Sequence, residues 1–346
     1  MPTEQDVMAA LSQVMDPELG RNLVELKMIR QLTIRPDGHV SFMLALTIPN
    51  CPLREQIRAS AQAAVEALPG VKKVTVTLGA MTEEERREVL GRSGPMLPKL
   101  NTASQIKRVI AVLSGKGGVG KSSVTALLAV ALAHAGQKVG ILDADITGPS
   151  IPKLFGLPPG GLRGNDQGIL PGITPLGIRI ISTNLMVPEE DTAVIWRGPL
   201  ITGAINQFWS DVLWGKLDTM LVDLPPGTSD ATLTVLQTLP INGVVLVTTP
   251  QQLASLVVRK AVRMIQQLNV PILGVVENMS YYPCPDTGKH HDIFGPSHAD
   301  EIASLANAPV WARLPIDPQV AALADAGQIE AVNPAMMKDV VAQLGK

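Results

Sequence analysis

Cysteine is nearly absent from this sequence, which has only Cys51 and Cys284 among its 346 residues. Two thiols so far apart in the chain argue against a disulfide framework and favour a protein of the reducing cytoplasm. Aromatic residues are also rare, at 3% of the chain. Because proteins that hold single-stranded nucleic acid stack its bases on aromatic side chains, this scarcity argues against such a role.

Long hydrophobic runs and an excess of charge of one sign are missing as well. The longest apolar runs, such as ALLAVALAHAG at 126–136, are too short and too soon interrupted to cross a bilayer. The start of the chain lacks the basic segment and apolar core of a secretory signal. A net charge of -2 gives no electrostatic reason to expect a nucleic acid or a membrane as a partner.

The pattern of polar and apolar residues divides the chain into two domains and a linker. Residues 1–80 predict a small α+β domain. Its predicted elements are helices at 3–15 and 53–68 and strands at 39–48 and 71–79. Residues 81–104 mix a run of charges with glycine and proline, which is typical of a linker. Residues 105–346 form the second predicted domain.

In this second domain, short aliphatic runs that are apolar on both faces alternate with helical segments. The pattern is typical of a parallel sheet that helices cover on both sides. We therefore predict an α/β fold with a doubly wound, mostly parallel sheet, whose ligand lies at the carboxyl ends of the strands. The predicted strands are at 108–114, 138–145, 178–183, 219–225, 243–249, 271–278 and 310–315, with helices at 121–136 and 253–268.

A glycine-rich segment, SGKGGVGKSS at 114–123, joins the first of these strands to the first of these helices. Gly115, Gly120, Lys121 and Ser122 complete the phosphate-binding pattern G-x-x-x-x-G-K-[ST]. In such a loop the lysine contacts the β and γ oxygens, the hydroxyl binds Mg²⁺, and backbone N–H groups surround the phosphates. The sheet is therefore predicted to be of the P-loop NTPase type. The predicted nucleotide contacts in the loop are Gly115, Lys116, Gly117, Gly118, Val119, Gly120, Lys121, Ser122 and Ser123.

Polar residues follow three other predicted strands at the same edge of the sheet. Asp143 and Asp145 are two positions apart, so in an extended chain they face the same way, toward Mg²⁺ or the attacking water. Asp223 is the expected Mg²⁺ carboxylate, either as a direct ligand or through another ligand of the ion, and the backbone of Gly227 can contact the γ-phosphate. The amide of Asn278 can read an adenine edge. An aspartate at a strand end is about as often a cap or turn residue, but the set together indicates a nucleoside triphosphatase.

Several segments resemble a single family. SGKGGVGKSS, LDADITGPS, ENMSYY and the stretch from WRGP to PPGTSD at 196–230 are similar to those of the Mrp/ApbC iron-sulfur cluster carrier ATPases, within the MinD-like deviant P-loop class. This resemblance runs from about residue 105 to the end. DPELG at 16–20 and TIPNCP at 47–52 resemble the MIP18-type (DUF59) module, so that the resemblance covers nearly the whole chain.

The resemblance implies how the site works. Lys116 is expected to reach across a homodimer to the phosphates bound by the partner subunit, so that ATP hydrolysis depends on assembly. The catalytic residues would be Lys116, Asp143 and Asp145. Pro315 and Asp317 would line the adenine or ribose side of the nucleotide. The clusters carried would pass to apo iron-sulfur proteins or assembly factors.

The sequence departs from this family at the cluster site. The family has a C-x-x-C pair shortly after the NMS segment, and two such pairs in a homodimer hold a [4Fe-4S] cluster. Here Cys284 stands in the first place and Thr287 in the second, so a dimer would present two thiolates. His290, His291 and Cys51 are candidate substitutes, since histidine replaces cysteine in Rieske centres. The alternative is that the histidines are exposed turn residues and Cys284 is a small buried hydrophobe.

Three functions fit these observations. The first is an ATP-driven carrier of iron-sulfur clusters, which the resemblance over the whole chain favours. The second is an ATP-switched adaptor or scaffold that holds no cluster, which the missing cysteine favours. The third is a positioning ATPase like MinD or ParA, but the C-terminal AVNPAMMKDVVAQLGK has too few apolar and basic residues for a membrane anchor.

Overall fold

The computed structural model describes residues 2–16, 21–46, 54–82, 85, 99–189 and 198–344, without the side chains at 198–199, 230 and 252–256. Several features of the sequence lie outside these residues. They are the DUF59-like motifs at 17–20 and 47–52 with Cys51, the linker positions 83–84 and 86–98, and the first two residues of WRGP.

The chain divides into two compact units, Met1–Leu97 and Pro98–Lys346. The first is an α+β unit made of α1 (Glu4–Leu11), β1 (Ile29–Ile34), β2 (His39–Leu46), α2 (Arg54–Glu66) and β3 (Lys73–Ala80). Strand β2 lies in the middle of its sheet, antiparallel to β1 and parallel to β3. Leu11, Phe42, Leu44 and Ile57 belong to the core of this unit. The division falls inside the predicted linker, whose extent stays a prediction.

The second unit alternates strands and helices. Its strands are β4 (Gln105–Ile106), β5 (Val109–Ser114), β6 (Val139–Asp143), β7 (Arg163–Asn165), β8 (Gly168–Leu170), β9 (Gly172–Ile173), β10 (Arg179–Ile181), β11 (Lys216–Leu217), β12 (Thr219–Asp223), β13 (Gly243–Thr248), β14 (Ile272–Pro283), β15 (His290–His291) and β16 (Val310–Pro315). Its helices are α3 (Lys121–His134), α4 (Ile151–Leu154), α5 (Gly198–Ser210), α6 (Asp230–Thr238), α7 (Gln252–Gln267), α8 (Ala299–Ala306), α9 (Pro318–Asp325) and α10 (Lys338–Leu344), with 3₁₀ turns at Thr183–Leu185, Ile329–Ala331 and Pro334–Met337.

Nine strands of this unit form one mixed, mostly parallel sheet. Along the sheet, β14, β13, β5, β12, β6 and β10 are parallel neighbours in that order, and β16 joins β14 in parallel. Strands β9 and β15 are added antiparallel at β10 and β14. The α/β fold predicted from the aliphatic runs is therefore confirmed.

Apolar clusters cover both faces of the large sheet. One cluster contains side chains of α5, α6, α7 and α8, and the other contains side chains of α3, α9 and α10. Helix α3 is the central helix of its layer, since all of its residues from 124 to 132 are buried. No helix among the described residues is both long enough and apolar enough to cross a membrane.

The short strands β4, β7, β8, β9, β11 and β15 were not predicted from the sequence. Among the longer strands, β1, β6 and β14 differ from the prediction. Strand β1 was not predicted, because a bulge at Gln31, with a φ of +52°, breaks its alternation. Strand β6 ends at Asp143, two residues earlier than predicted. Strand β14 continues past Asn278 as far as Pro283, because its register against β16 shifts at Met279, which has a φ of +53°.

We expect Leu128→Ala to destabilise the second unit by about 2–5 kcal/mol, because Leu128 is fully buried in the α3 layer and its loss leaves a cavity. Urea unfolding can be followed by tryptophan fluorescence, since all four tryptophans belong to this unit. Leu305→Ala, at an exposed position of α8, is the matched control and should change stability by about 0.5 kcal/mol or less. Equal effects of the two substitutions would contradict the assigned core.

Candidate functional site

The phosphate-binding loop joins the end of β5 to the start of α3. Gly118 and Gly120 have φ angles of +79° and +77°, in the left-handed region that favours glycine. A Cβ atom on Gly115 would lie 2.6 Å from the backbone nitrogen of Val258, so this glycine allows α7 to pack directly on the loop. Val119 is buried and anchors the loop in the core.

The other loop residues are open to a ligand. Gly117 and Gly118 are exposed, and Ser122 and Ser123 are half-buried in the first turn of α3. Because the helix begins at Lys121, its unpaired N–H groups and the positive end of its dipole are directed to the loop.

A buried polar network lies at the start of α3. The Nζ of Lys121 donates a hydrogen bond to Oδ2 of Asp223 at 2.7 Å, and the hydroxyl of Ser122 donates to the same oxygen at 2.6 Å. The hydroxyl of Thr125 donates to the other oxygen, Oδ1, at 2.7 Å. Asp223 and Thr125 are fully buried. One ammonium group and the oxygens of a serine and an aspartate therefore meet here, which are the groups that bind a phosphate and Mg²⁺ in P-loop proteins.

Asp143 is the last residue of β6, and Asp145 follows it by two residues. Their common facing toward Mg²⁺ or the attacking water stays a prediction. Asp143 is fully buried and accepts hydrogen bonds from the Ser182 hydroxyl at 2.9 Å and from the Asp145 backbone N–H at 3.2 Å. The Oδ2 of Asp145 lies 3.8 Å from the Nζ of Lys121. Both carboxyl groups therefore lie near the network, Asp143 buried beside the end of β10 and Asp145 beside Lys121.

Burial raises the pKa of Asp143 to about 8, and the nearby Asp223 carboxylate adds to this increase, while Lys121 opposes it. Burial also raises the pKa of Asp145, against the opposing charge of Lys121. Three carboxyl groups thus cluster around the ammonium group of Lys121. Such a cluster favours either protonation or an additional cation.

Lys116 contacts a different partner from Lys121. Its Nζ donates a hydrogen bond to the Oε1 of Gln251, the residue that immediately precedes α7. The backbone oxygen of Lys116 accepts a hydrogen bond from the Ser114 hydroxyl at 3.0 Å. Lys116 is therefore held within its own subunit by the residue that caps α7.

Two of the predicted nucleotide contacts lie against the loop. The N–H of Gly227 donates to the carbonyl of Ser114 at 2.8 Å, and Gly227 has a φ of +79°. The Nδ2 of Asn278 donates to the carbonyl of Val119 at 2.9 Å and occupies the space that a side chain at Gly120 would need. Asn278 is thus tied to the loop, and its recognition of adenine stays a prediction.

Pro315 and Asp317 lie at the end of β16. Pro315 is paired with Tyr281 of β14. Asp317 caps α9, where its side chain accepts a hydrogen bond from the N–H of Gln319 at 2.8 Å. Asp317 therefore has a structural role as a helix cap. The contact of Pro315 and Asp317 with adenine or ribose stays a prediction.

Cys284 begins a tight turn that follows β14. Its N–H donates to the carbonyl of Lys289 at 2.9 Å, and its own carbonyl accepts from the N–H of Gly288 at 2.8 Å. Hydrogen bonds from the Thr287 side chain and then from the backbone N–H groups of Asp286 and Thr287 lower the pKa of the Cys284 thiol. Cys284 is half-buried and stabilised as a thiolate, so it is not a core hydrophobe.

The two histidines lie in β15, opposite the end of β14. His290 pairs with Pro283, and its ring stacks on Tyr281 with the ring centroids 4.0 Å apart. His291 pairs with Tyr282, and both histidines are exposed. In the part of the chain that the structure describes, no group of three or more His, Cys, Asp or Glu side chains is arranged to hold a metal ion.

Sequence reasoning missed several polar side chains that have a clear place around these sites: Thr125, Ser182, Gln251 and Glu277. Thr125 follows Lys121 by about one helical turn, so its spacing could have placed it beside the loop. The partners of Ser182 and Gln251 follow only from the order of the strands. Glu277 is fully buried and accepts hydrogen bonds from the Ser280 hydroxyl at 2.5 Å and the His298 N–H at 3.1 Å. The second bond connects β14 to the start of α8.

The parallel sheet, the glycine loop and the Lys121 network define a P-loop nucleoside triphosphatase fold. Comparison with known proteins gives the family. The chain belongs to the NUBPL iron-transfer P-loop NTPase family, whose model matches residues 105–344. A second model, described as an iron-sulfur cluster assembly protein, matches residues 4–78.

Named relatives and solved structures agree with this family. An iron-sulfur cluster carrier protein of Synechocystis sp. is 43% identical over 321 residues, which cover 92% of this chain and 88% of the relative. Another, of Methanocaldococcus jannaschii, is 47% identical over 225 residues, which cover 65% and 78%. A nucleotide-binding protein from Archaeoglobus fulgidus, solved in complex with ADP, is 46% identical, covers 66% of this chain and 90% of that chain, and has a TM-score of 0.59. The cell division ATPase MinD of Pyrococcus furiosus, 21% identical with coverages of 69% and 98% and a TM-score of 0.52, shares the fold.

We expect Asp143→Asn to flatten the pH dependence of stability in protein free of nucleotide and Mg²⁺. The folded-state pKa of about 8 lies above the ordinary aspartate pKa of 3.8, so the folded protein retains a proton in this interval. Stability therefore falls as the pH rises from about 4 to about 8. Asparagine does not titrate, so this part of the decline should disappear. Urea unfolding at a series of pH values in EDTA measures it.

Asp218→Asn is the matched control for this measurement. The pKa of Asp218 is lowered, mainly by its hydrogen bond from Lys107, so its contribution changes only at pH values below about 4. A variant Asp143→Asn with the wild-type slope between pH 5 and 8 would contradict the assignment.

Proposed function

We propose that this protein is a cytoplasmic, homodimeric ATPase that binds iron-sulfur clusters and delivers them to apo iron-sulfur proteins or assembly factors. The observation that carries the proposal is the course of β14. This strand contacts the phosphate-binding loop at Asn278 and six residues later leads to Cys284. The nucleotide loop and the half-buried thiol are thereby joined by one element. The names of the relatives support cluster carriage.

The residues at the start of α3 fit ATP and Mg²⁺. The oxygens of Ser122 and Asp223 that lie 2.6 Å apart are hard ligands of the kind Mg²⁺ takes. Lys121 would exchange its contact with Asp223 for the β and γ phosphates, and the N–H groups of residues 115–123 would surround them. Bound Mg²⁺ supplies positive charge that offsets the charge of the transferred phosphoryl group.

The remaining site residues would serve hydrolysis and base recognition. Asp145, which lies beside Lys121, would orient the attacking water. Asp143 accepts a hydrogen bond from the backbone N–H of Asp145 and would thereby hold Asp145 in position. The N–H of Gly227, which donates to the carbonyl of Ser114 in the structure, would exchange that partner for the γ-phosphate. Asn278, with Pro315 and Asp317, would face the nucleoside.

Lys116 would act on the nucleotide of the partner subunit. In one subunit its ammonium group is held by Gln251, so an in-trans role requires this hydrogen bond to break as the dimer forms. A cation supplied by the partner neutralises charge that develops during phosphoryl transfer, as an arginine finger does. Hydrolysis would therefore be slow in the free subunit and would depend on dimerisation.

The two lysines of the loop should respond differently to substitution. Lys121→Ala removes the cation on the β and γ phosphates and should weaken ATP binding about tenfold or more. Lys116→Ala should leave ATP affinity within about twofold of wild type and lower kcat about a hundredfold or more, because a cation supplied in trans acts on the transition state. Lys107→Ala, at an exposed lysine paired with Asp218, is the control. If Lys116→Ala hydrolyses ATP at the wild-type rate, the in-trans role is wrong.

The Cys284 turn would provide the cluster site. Thr287 stands where the family has its second cysteine, and its hydroxyl contacts Cys284. Two subunits would therefore contribute two thiolates, and further ligands would come from His290, His291 or a small thiol such as glutathione. Incomplete or nitrogen-containing ligation should make a bound cluster labile, which suits a protein that gives its cluster away.

Anaerobic reconstitution tests cluster carriage. Iron, sulfide and visible absorbance per dimer are measured for wild type, Cys284→Ala, Cys51→Ala and Thr287→Cys. We expect Cys284→Ala to lose the cluster and Thr287→Cys to retain more of it than wild type, because the substitution completes four thiolates across the dimer. Equal traces of iron in wild type and Cys284→Ala, with no gain in Thr287→Cys, would contradict carriage at this turn.

That contrary result would favour the second candidate, an ATP-switched adaptor that holds no cluster. The observation that supports it is the side chain at position 287. A threonine hydroxyl is a poor ligand for iron, and here it already donates a hydrogen bond to the neighbouring thiol.

A further inference from the structure

We infer that Thr125 is a positioning residue for the metal site: it holds the Asp223 carboxylate in the orientation in which Oδ2 faces Ser122. The inference rests on the proposed binding of Mg²⁺ and nucleotide and adds a residue that the phosphate-binding pattern does not contain. Thr125 lies about one turn after Lys121 on α3, on the side of the helix that meets the end of β12.

The contacts of Asp223 divide between its two oxygens. Oδ2 accepts from Lys121 and Ser122, and Oδ1 accepts from the Thr125 hydroxyl at 2.7 Å. The same hydroxyl lies 3.0 Å from the carbonyl of Lys121, but a carboxylate is the stronger acceptor. Thr125 thus fixes the oxygen of Asp223 that Lys121 and Ser122 do not contact, and with it the orientation of the carboxylate.

This division matters when the ligand binds. Lys121 would turn to the phosphates and Ser122 to the cation, so both contacts on Oδ2 are exchanged. The contact on Oδ1 lies on the other oxygen and has no need to break. Thr125 would therefore be the hydrogen bond that persists through binding and keeps Oδ2 directed at the cation.

Burial makes the contact difficult to replace. The terminal torsion of an aspartate is broad, so a carboxylate whose second oxygen has no fixed partner can rotate and turn its first oxygen away from Ser122. Thr125 and Asp223 are both fully buried, and bulk water does not reach them. A partner that orients a metal ligand typically contributes about 10–100-fold to metal affinity.

The test separates metal positioning from general stability. ADP affinity is measured by calorimetry on the full chain, once with Mg²⁺ and once with EDTA, for wild type, Thr125→Val, Thr125→Ser and Thr125→Cys. We expect Thr125→Val to lose about tenfold or more of the affinity gained from Mg²⁺ while its affinity in EDTA stays within about twofold of wild type. Thr125→Ser, which keeps the hydroxyl, should restore the Mg²⁺ dependence. Thr125→Cys, a weak donor of similar size, should fall between them and serves if the valine variant does not fold.

Thr238→Val is the matched control. Its hydroxyl makes the corresponding intrahelical bond to the carbonyl of Thr234 at 2.7 Å in α6, so it reports the loss of such a bond alone. The inference would be overturned if Thr125→Val lost the same ADP affinity with and without Mg²⁺. It would also be overturned if Thr125→Val kept the Mg²⁺ dependence of the wild type. Either result would leave the proposed function intact. A wild-type protein that binds no ADP in either condition would refute both.

Discussion

The buried carboxylate of Asp223 is the constraint on which the nucleotide site depends. It ends β12 in the middle of the sheet, paired in register with Val112 of β5 and Asp143 of β6. A carboxylate without exposure is tolerated only when donors surround it, and here a lysine, a serine and a threonine of the same helix do so. Removing one member of such a buried ion pair typically costs about 3–5 kcal/mol. The start of α3 is thereby fixed against the strand ends before any ligand is present.

Local patterns in the sequence were sufficient for most of the fold and for the loop. The spacing of Gly115, Gly120 and Lys121 and the aliphatic runs are short-range signals, and each depends on one stretch of chain. The end of β6 was predicted two residues too late, and the contact of Asp143 with Ser182, 39 residues further along the chain, was not predicted. Whether a strand ends at a given residue depends on its neighbours in the sheet, and a single stretch of sequence does not contain them.

The partners of the site residues are long-range for the same reason. Gln251 meets Lys116 only because β13 lies beside β5 in the sheet. The length of β14 was missed because Met279, a residue that rarely adopts a positive φ, forms a bulge where a strand end was expected.

The hydrogen bond between Lys116 and Gln251 has a consequence for how such an ATPase is switched on. If Lys116 acts on the nucleotide of the neighbouring subunit, that nucleotide competes with Gln251 for the same ammonium group. Gln251 is part of the same chain, whereas the neighbour's nucleotide is reached only when two subunits associate. An internal competitor does not weaken on dilution, whereas an encounter does. The concentration of the protein would then regulate its own activity. At low concentration the subunits would bind nucleotide without hydrolysing it, and at high concentration dimerisation would start hydrolysis without a separate activator.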